Sequence, residues 1–157
     1  MPALICGSLA FDTITTFPGR FADQILPEQV HILNVSFLVP TLRREFGGCA
    51  GNIAYTLSQL GGEPLVLAAL GSDGAQYLQR LAHWGACTDH VRVDTDHFTA
   101  QAIIITDSDN NQITAFHPGA MQSAQLTPVP DRDDIRIAII APDGRDAMVE
   151  HAQQLAA

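Results

Sequence analysis

Gly47 and Gly48 are the residues around which chemistry can be built. They stand in the run Arg44–Gly62, REFGGCAGNIAYTLSQLGG, between a polar extended stretch and an apolar helical one. Paired glycines leave the backbone bare, and a helix starting there directs unbonded N–H groups outward. Such a corner can cradle a phosphate, turn a tight bend, or grip an uncharged hydroxyl. A dinucleotide fingerprint needs glycines at i, i+2 and i+5, whereas these sit at 47, 48 and 51. A Walker-type phosphate loop needs a lysine, and all eight cationic residues of this chain are arginine. The lack of lysine also excludes a pyridoxal Schiff base. With only Arg43 and Arg44 near the glycines, hydroxyls stand beside phosphate as ligands. Asn52 offers a donor and an acceptor together, which suits a diol.

Asp12 is the second candidate. It follows the apolar run Leu4–Cys6 by a few residues, and ligands of open α/β sheets gather beyond the carboxyl ends of strands. A carboxylate there can accept two hydroxyl hydrogen bonds, although an exposed loop acid is the simpler alternative. Asp107, Asp109 and Asn111 have the spacing of half an EF-hand loop. Gln112 replaces the required glycine and Pro118 the bidentate glutamate, so these residues read as a polar hairpin tip. The six histidines have neither HExxH spacing nor a metal-like cluster, and no metal site is expected. Cys6, Cys49 and Cys87 are too few and too scattered for a disulfide framework and read as reduced thiols. Phe116 closes a hairpin arm before His117, where an aromatic can be core or a stacking platform.

The elements that must position these residues follow from periodicity. Leu4–Cys6 predicts a buried strand ending at Gly7. His31–Val39 alternates and predicts a second extended stretch, continued after Pro40 to the glycines. Ala50, Ile53, Ala54, Leu57 and Leu60 recur at helical spacing, with Gly61-Gly62 as the stop. Buried strands are predicted at PLVLAAL and RIAII, with a short one at DHVRV. Helices are predicted after a cap at Ser72 or Asp73 and after a cap at Asp143. Arms at Ala102–Thr106 and Gln112–Phe116 form a hairpin. Strands alternating with helices predict an α/β fold with a parallel, helix-covered sheet. The helix after Asp143 lacks the strand it would cross over to, so the pattern reads as part of a larger α/β unit.

Bulk properties narrow the function classes. The 157 residues are 46% apolar, enough for one core, and the net charge of −9 provides no basic face. Nucleic acid and anionic membrane are therefore not expected partners. No signal peptide or long apolar span is legible, which makes the cytoplasm the default expectation.

GGCAGN at Gly47–Asn52, LGSDG, and the hairpin ending FHPGAM, in this order, resemble the PfkB (ribokinase) family of carbohydrate and nucleoside kinases. GSLAFD, FPGRF, ILPE and SFLV bring the resemblance near the bacterial adenosine kinase branch. The resemblance implies a partial ribokinase-like doubly wound sheet over 1–157 with a small β lid, in pieces at about 12–46 and 98–118. It implies substrate binding by Ser8, Asp12, Ser36, Gly47, Gly48, Asn52 and Phe116. The ligand would be a nucleoside such as adenosine, or a sugar, phosphorylated with ATP and Mg²⁺ in full-length members. The family's catalytic Asp and most of its ATP contacts have no match here, so no catalytic residue is assigned and the chain alone is expected to be inactive. Ala102 falls where that branch can place a second aromatic, which leaves the base preference open. The competing expectation is a non-catalytic binding module that associates with a second copy through the lid or an open sheet edge.

Overall fold

The computed structural model describes residues 2–157. Two four-stranded sheets share the chain. The first has the order β5–β4–β1–β8, all parallel, from β1 (Pro2–Cys6), β4 (Glu63–Gly71), β5 (Cys87–Asp94) and β8 (Ile137–Ile140). The second has the order β3–β2–β6–β7, from β2 (Ala10–Thr16), β3 (Thr41–Gly47), β6 (Ala100–Thr106) and β7 (Gln112–His117). Here β2 pairs antiparallel with β3 and parallel with β6, and β6 and β7 form the hairpin.

A parallel sheet covered on both faces needs strands that are apolar throughout, and β4 meets this requirement. Val66, Ala68 and Leu70 point to one side, where they pack with Ile5, Ala50, Ala54, Tyr77 and Leu81. That side is covered by α1 (Cys49–Gln59) and α2 (Ala75–His83). Leu65 and Leu67 point to the other side with Leu4 and Cys6. There Ala69 meets Ala120, Ala124 and Ala147, from a 3-10 turn at Gly119–Leu126 and from α3 (Arg145–Ala156). Alanines at that contact let turn, helix and sheet approach closely.

Several expectations are corrected. The run His31–Val39 is not a strand: a 3-10 turn occupies Pro27–Ile32 and the rest is irregular up to β3. Its alternation reflects real burial, since Val35, Phe37 and Val39 are half-buried while their neighbours are exposed, but no partner strand lies beside it. Phe37 is instead anchored by Phe17 and Phe21, with ring centroids 5.0 Å away in each case. The strand that pairs with β3 is Ala10–Thr16 rather than His31–Val39. The RIAII strand is not buried: β8 is an edge strand, and its Ile137 is 54% exposed. Ser72, Asp73 and Asp143 do not cap the helices that follow them; Gly74 and Gly144 hold the N-cap positions without side-chain bonds.

Asp107 ties the hairpin tip to the crossing loop. Its carboxylate accepts bonds from the backbone N–H of Phe21 (2.9 Å), Asp109 (2.9 Å) and Asn111 (2.8 Å), and from the Asn111 amide. Desolvation pushes this carboxyl up, but the Phe21, Asn111 and Asp109 donors outweigh it and hold its pKa below the ordinary value. A depressed folded pKa stabilises above the unfolded value, and the contribution is lost as pH falls through the folded one. Asp107→Ala is expected to lower the melting temperature at pH 7, and the gap to the parent should close as pH falls below about 4. Paired thermal melts across that range would measure it; a gap independent of pH contradicts the assignment.

Candidate functional site

The glycine corner sits where the two sheets meet. β1 ends at Cys6, and Ser8 follows beside the start of α1. The Ser8 hydroxyl accepts the Cys49 N–H at 3.1 Å, and the Ser8 carbonyl accepts the Ala50 N–H at 3.0 Å. The first N–H groups of α1 were expected to face a ligand; these two are instead spent on Ser8. The reason lies in the tertiary packing, which lays the β1–β2 loop across the helix start. Gly48 has φ +88°, and a Cβ there would lie 2.5 Å from the Ser8 carbonyl oxygen, so both backbone conformation and space require glycine.

Asp12 lies against Gly47: a Cβ at Gly47 would fall on the Asp12 carboxylate. Burial raises the Asp12 pKa above its ordinary value. In the second sheet Asp12 pairs with Glu45 on one side and Ala102 on the other, and Ala102 pairs with Phe116. Directly paired residues share a face. Glu45, Asp12, Ala102 and Phe116 therefore form one row across four strands. Phe116 stands two strand spacings from Asp12, about 10 Å, with only the alanine methyl between them. Phe116 is 55% exposed.

Asn52 is exposed in the first turns of α1, where its N–H bonds the Gly48 carbonyl at 3.1 Å. It lines an open groove with Glu45, Phe46, Tyr55, Arg80 and Trp84. Ser8, Asp12, Gly47 and Gly48 thus meet at one corner, the Asn52 backbone joins it through Gly48, and the cross-strand row leads from it to Phe116. Ser36 is not brought there. It is exposed in the irregular run before β3, beside the Phe17–Phe21–Phe37 cluster and away from the corner.

Sequence reading missed Asp143 as more than a cap. It lies just beyond the end of β8, next to Pro142, whose carbonyl accepts the Ser8 N–H at 3.0 Å. One carboxylate oxygen accepts the Gly144 N–H at 2.8 Å, while the other is buried with no hydrogen-bond partner. Burial drives its pKa up to about 7, only partly opposed by the Gly144 N–H. The strand-end argument that singled out Asp12 applies equally to Asp143 and is the signal that could have found it. Burial, and secondarily Asp143, push the nearby Cys6 thiol up to about 12, which keeps it protonated and unreactive.

The pfkB family carbohydrate kinase profile matches residues 19–157. The chain belongs to the pfkB family of carbohydrate kinases. A Burkholderia thailandensis nucleoside kinase in complex with inosine superposes with a TM-score of 0.83 at 52% identity, over 98% of this chain and 49% of that one. The same enzyme has been solved with ADP-inosine. The Methanocaldococcus jannaschii nucleoside kinase, an archaeal member of the ribokinase family, gives a TM-score of 0.82 at 26% identity, over 98% of this chain and 48% of that one. A Methanothermobacter thermautotrophicus nucleoside kinase is 35% identical over 89 residues, 55% of this chain and 29% of that protein. This pfkB-family chain thus spans about half the length of the solved relatives it matches. Among its described residues, no helix is long and apolar enough to cross a membrane.

The Asp143 environment sets a stability profile. A carboxyl with a raised folded pKa favours the fold while protonated, and that contribution is lost as pH rises from the unfolded value, about 4, through the folded one. Asp143→Asn is expected to flatten the dependence of stability on pH between 4 and 8, and to be more stable than the parent at pH 8 by on the order of 2 kcal/mol. Urea melts at pH 5 and pH 8 would test this; parallel profiles for the two proteins would refute it.

Proposed function

We infer that this chain is the nucleoside-binding portion of a cytoplasmic pfkB-family kinase that transfers a phosphoryl group from ATP, with Mg²⁺, to a ribose hydroxyl. The observation that carries the reading is the cross-strand row Asp12–Ala102–Phe116. Asp12, charged and half-buried, accepts hydrogen bonds from a ribose diol. Phe116, about 10 Å along the row, offers a ring for the base, and the small Ala102 leaves the intervening space open. Asn52 adds a donor and an acceptor on the helix side, and Gly47-Gly48 lets the sugar approach the backbone. The Ser8 hydroxyl, an acceptor toward Cys49, keeps its own proton to donate. The second sheet serves as the lid. Adenosine is the expected ligand, and the inosine bound to the Burkholderia relative supports a purine nucleoside. Ser36 would reach the ligand only after lid movement.

The phosphoryl donor has little to hold it among the described residues. The chain has no lysine, and two of the first α1 N–H groups are taken by Ser8. ATP and Mg²⁺ would supply the transferred phosphoryl group and its charge neutralisation. Their binding, and a base for the ribose hydroxyl, belong to the part of the kinase that this chain does not span, and the chain alone should therefore not turn over.

A second reading, self-association, is favoured by the opposite face of the second sheet. Leu42, Ile103 and Ile113 lie there, respectively 68%, 45% and 42% exposed. Both readings are compatible within one molecule, because the row and this apolar face lie on opposite sides.

Calorimetric titration with adenosine and inosine tests the first reading. Asp12→Asn is expected to weaken binding about tenfold or more, as loss of charged hydrogen bonds to a ligand does. Phe116→Ala should cost a similar factor for nucleosides but little for free ribose. Affinity in the parent should fall as acidification protonates Asp12, beginning above the usual carboxylate range. Unchanged affinity in both variants would reject the row as the site.

A further inference from the structure

The aromatic cluster beneath the glycine corner carries an inference of its own. Tyr77, on α2, is fully buried, and its hydroxyl donates to the Gly47 carbonyl at 2.6 Å. Its ring is held by Phe11, with centroids 5.6 Å apart, and edge-on by Phe46 at 5.1 Å. Phe11 and Phe46 also touch each other, at 5.7 Å, so three rings close a triangle. Two guanidiniums cover its outside. Arg44 lies 3.7 Å from the Phe11 ring centroid, and Arg80 lies 4.9 Å from that of Phe46. Arg44 is further pinned to Asp73 at 2.7 Å, and Asp73 accepts the Thr99 N–H at 2.8 Å. The hydroxyl thus has little freedom to leave its acceptor.

The consequence lies in the peptide plane. In a trans peptide the carbonyl and the following N–H point in opposite directions. A Gly47 carbonyl fixed on Tyr77 therefore turns the Gly48 N–H away from α2. Glycines do not set that plane themselves, because neither has a side chain to restrict it. Asp12 lies against Gly47 and acts electrostatically on Tyr77, so the carboxylate, the glycine and the phenol form one unit. Burial, and secondarily Asp12, raise the Tyr77 pKa, which keeps its hydroxyl a donor. Gly51 completes the arrangement: a Cβ there would fall on the Tyr77 hydroxyl. The helix position facing the phenol is bare, and the hydroxyl fills that space.

We propose that Tyr77 is a positioning residue that sets the Gly47–Gly48 peptide plane from beneath and so couples α2 to nucleoside binding at the corner above. The coupling to a nucleoside rests on the reading in the previous subsection; the latch on the glycine pair does not.

Three variants test it: Tyr77→Phe, Gly51→Ala and the double substitution. Amide hydrogen exchange is read in the ligand-free chain, and affinity for adenosine and inosine by calorimetry. Tyr77→Phe keeps the three-ring packing and removes only the hydroxyl. It should raise exchange at Gly48 and Cys49 about tenfold, leave the amides of β1 and β4 unchanged, and weaken nucleoside binding about tenfold. Gly51→Ala should lower the melting temperature by forcing the phenol aside. In the Tyr77→Phe background most of that loss should disappear, because the hydroxyl the new methyl overlaps is gone and only the ring carbon beneath it, 3.0 Å away, has to give. The double variant thus recovers stability but not affinity, a combination that a purely structural role does not produce. Exchange that rises uniformly across the chain, or stability losses that simply add, would overturn the latch. Affinity unchanged in Tyr77→Phe would overturn the coupling. A parent chain that binds neither nucleoside rejects the nucleoside reading instead, and the exchange and double-variant results then decide the latch on their own.

Discussion

The close approach of the β1–β2 loop to the start of α1 is the constraint on which the rest of the structure depends. Ser8 bonds two helix N–H groups there, Gly48 has no room for a Cβ beside the Ser8 carbonyl, and Asp12 is pressed against Gly47. β2 leaves this point for the second sheet and β3 returns to it, so the two sheets meet at this corner. Each glycine is required by a neighbour distant in sequence: Gly48 by Ser8, Gly47 by Asp12.

From that corner the chemistry is arranged by strand register. Asp12, Ala102 and Phe116 belong to three strands and two distant parts of the chain, and the ladder places them in one row. A parallel pairing of β2 with β6, set by the position of the hairpin root, decides that an alanine and not a larger residue separates the carboxylate from the aromatic. A one-residue slip would turn every one of these side chains to the other face. The hairpin root is correspondingly well fixed. The Ser72 N–H bonds the His97 carbonyl at 2.9 Å, the Gly71 N–H bonds the Thr99 hydroxyl at 2.9 Å, and the Ala120 N–H bonds the Phe98 carbonyl at 2.9 Å. The core thus sets the register of the sheet that carries the candidate residues.

The first sheet is asymmetric. β5, β4 and β1 are covered by helices or turns, whereas β8 leaves Ile137, Ile139 and Ile140 between 37% and 54% exposed. With Ala3, Ile53, Leu57 and Leu60 the first two line an apolar groove beside α1. Parallel strands are normally covered on both faces.

Local pattern was enough for the elements whose burial is one-sided or complete. Helical spacing from Ala50 to Leu60, the apolar run of β4 and the polar turn at Asp107–Asn111 each carry their own signal, and GGCAGN with FHPGAM carried the family. The same reasoning misread His31–Val39, because alternation records which side chains are half-buried and says nothing about whether a strand lies alongside. It passed over Ala10–Thr16 because FDTITT owes its strand to β3 and β6 on either side rather than to a pattern of its own. Residue type and spacing single out Asp12, Asn52 and the glycine pair as candidates. That Ser8 spends two helix donors, that Asp143 is left with an unpaired buried oxygen, and that Tyr77 reaches Gly47 were not legible. Each depends on residues tens of positions apart meeting at a few ångströms, and sequence by itself holds no distances between them; register and packing create those distances only when the chain folds.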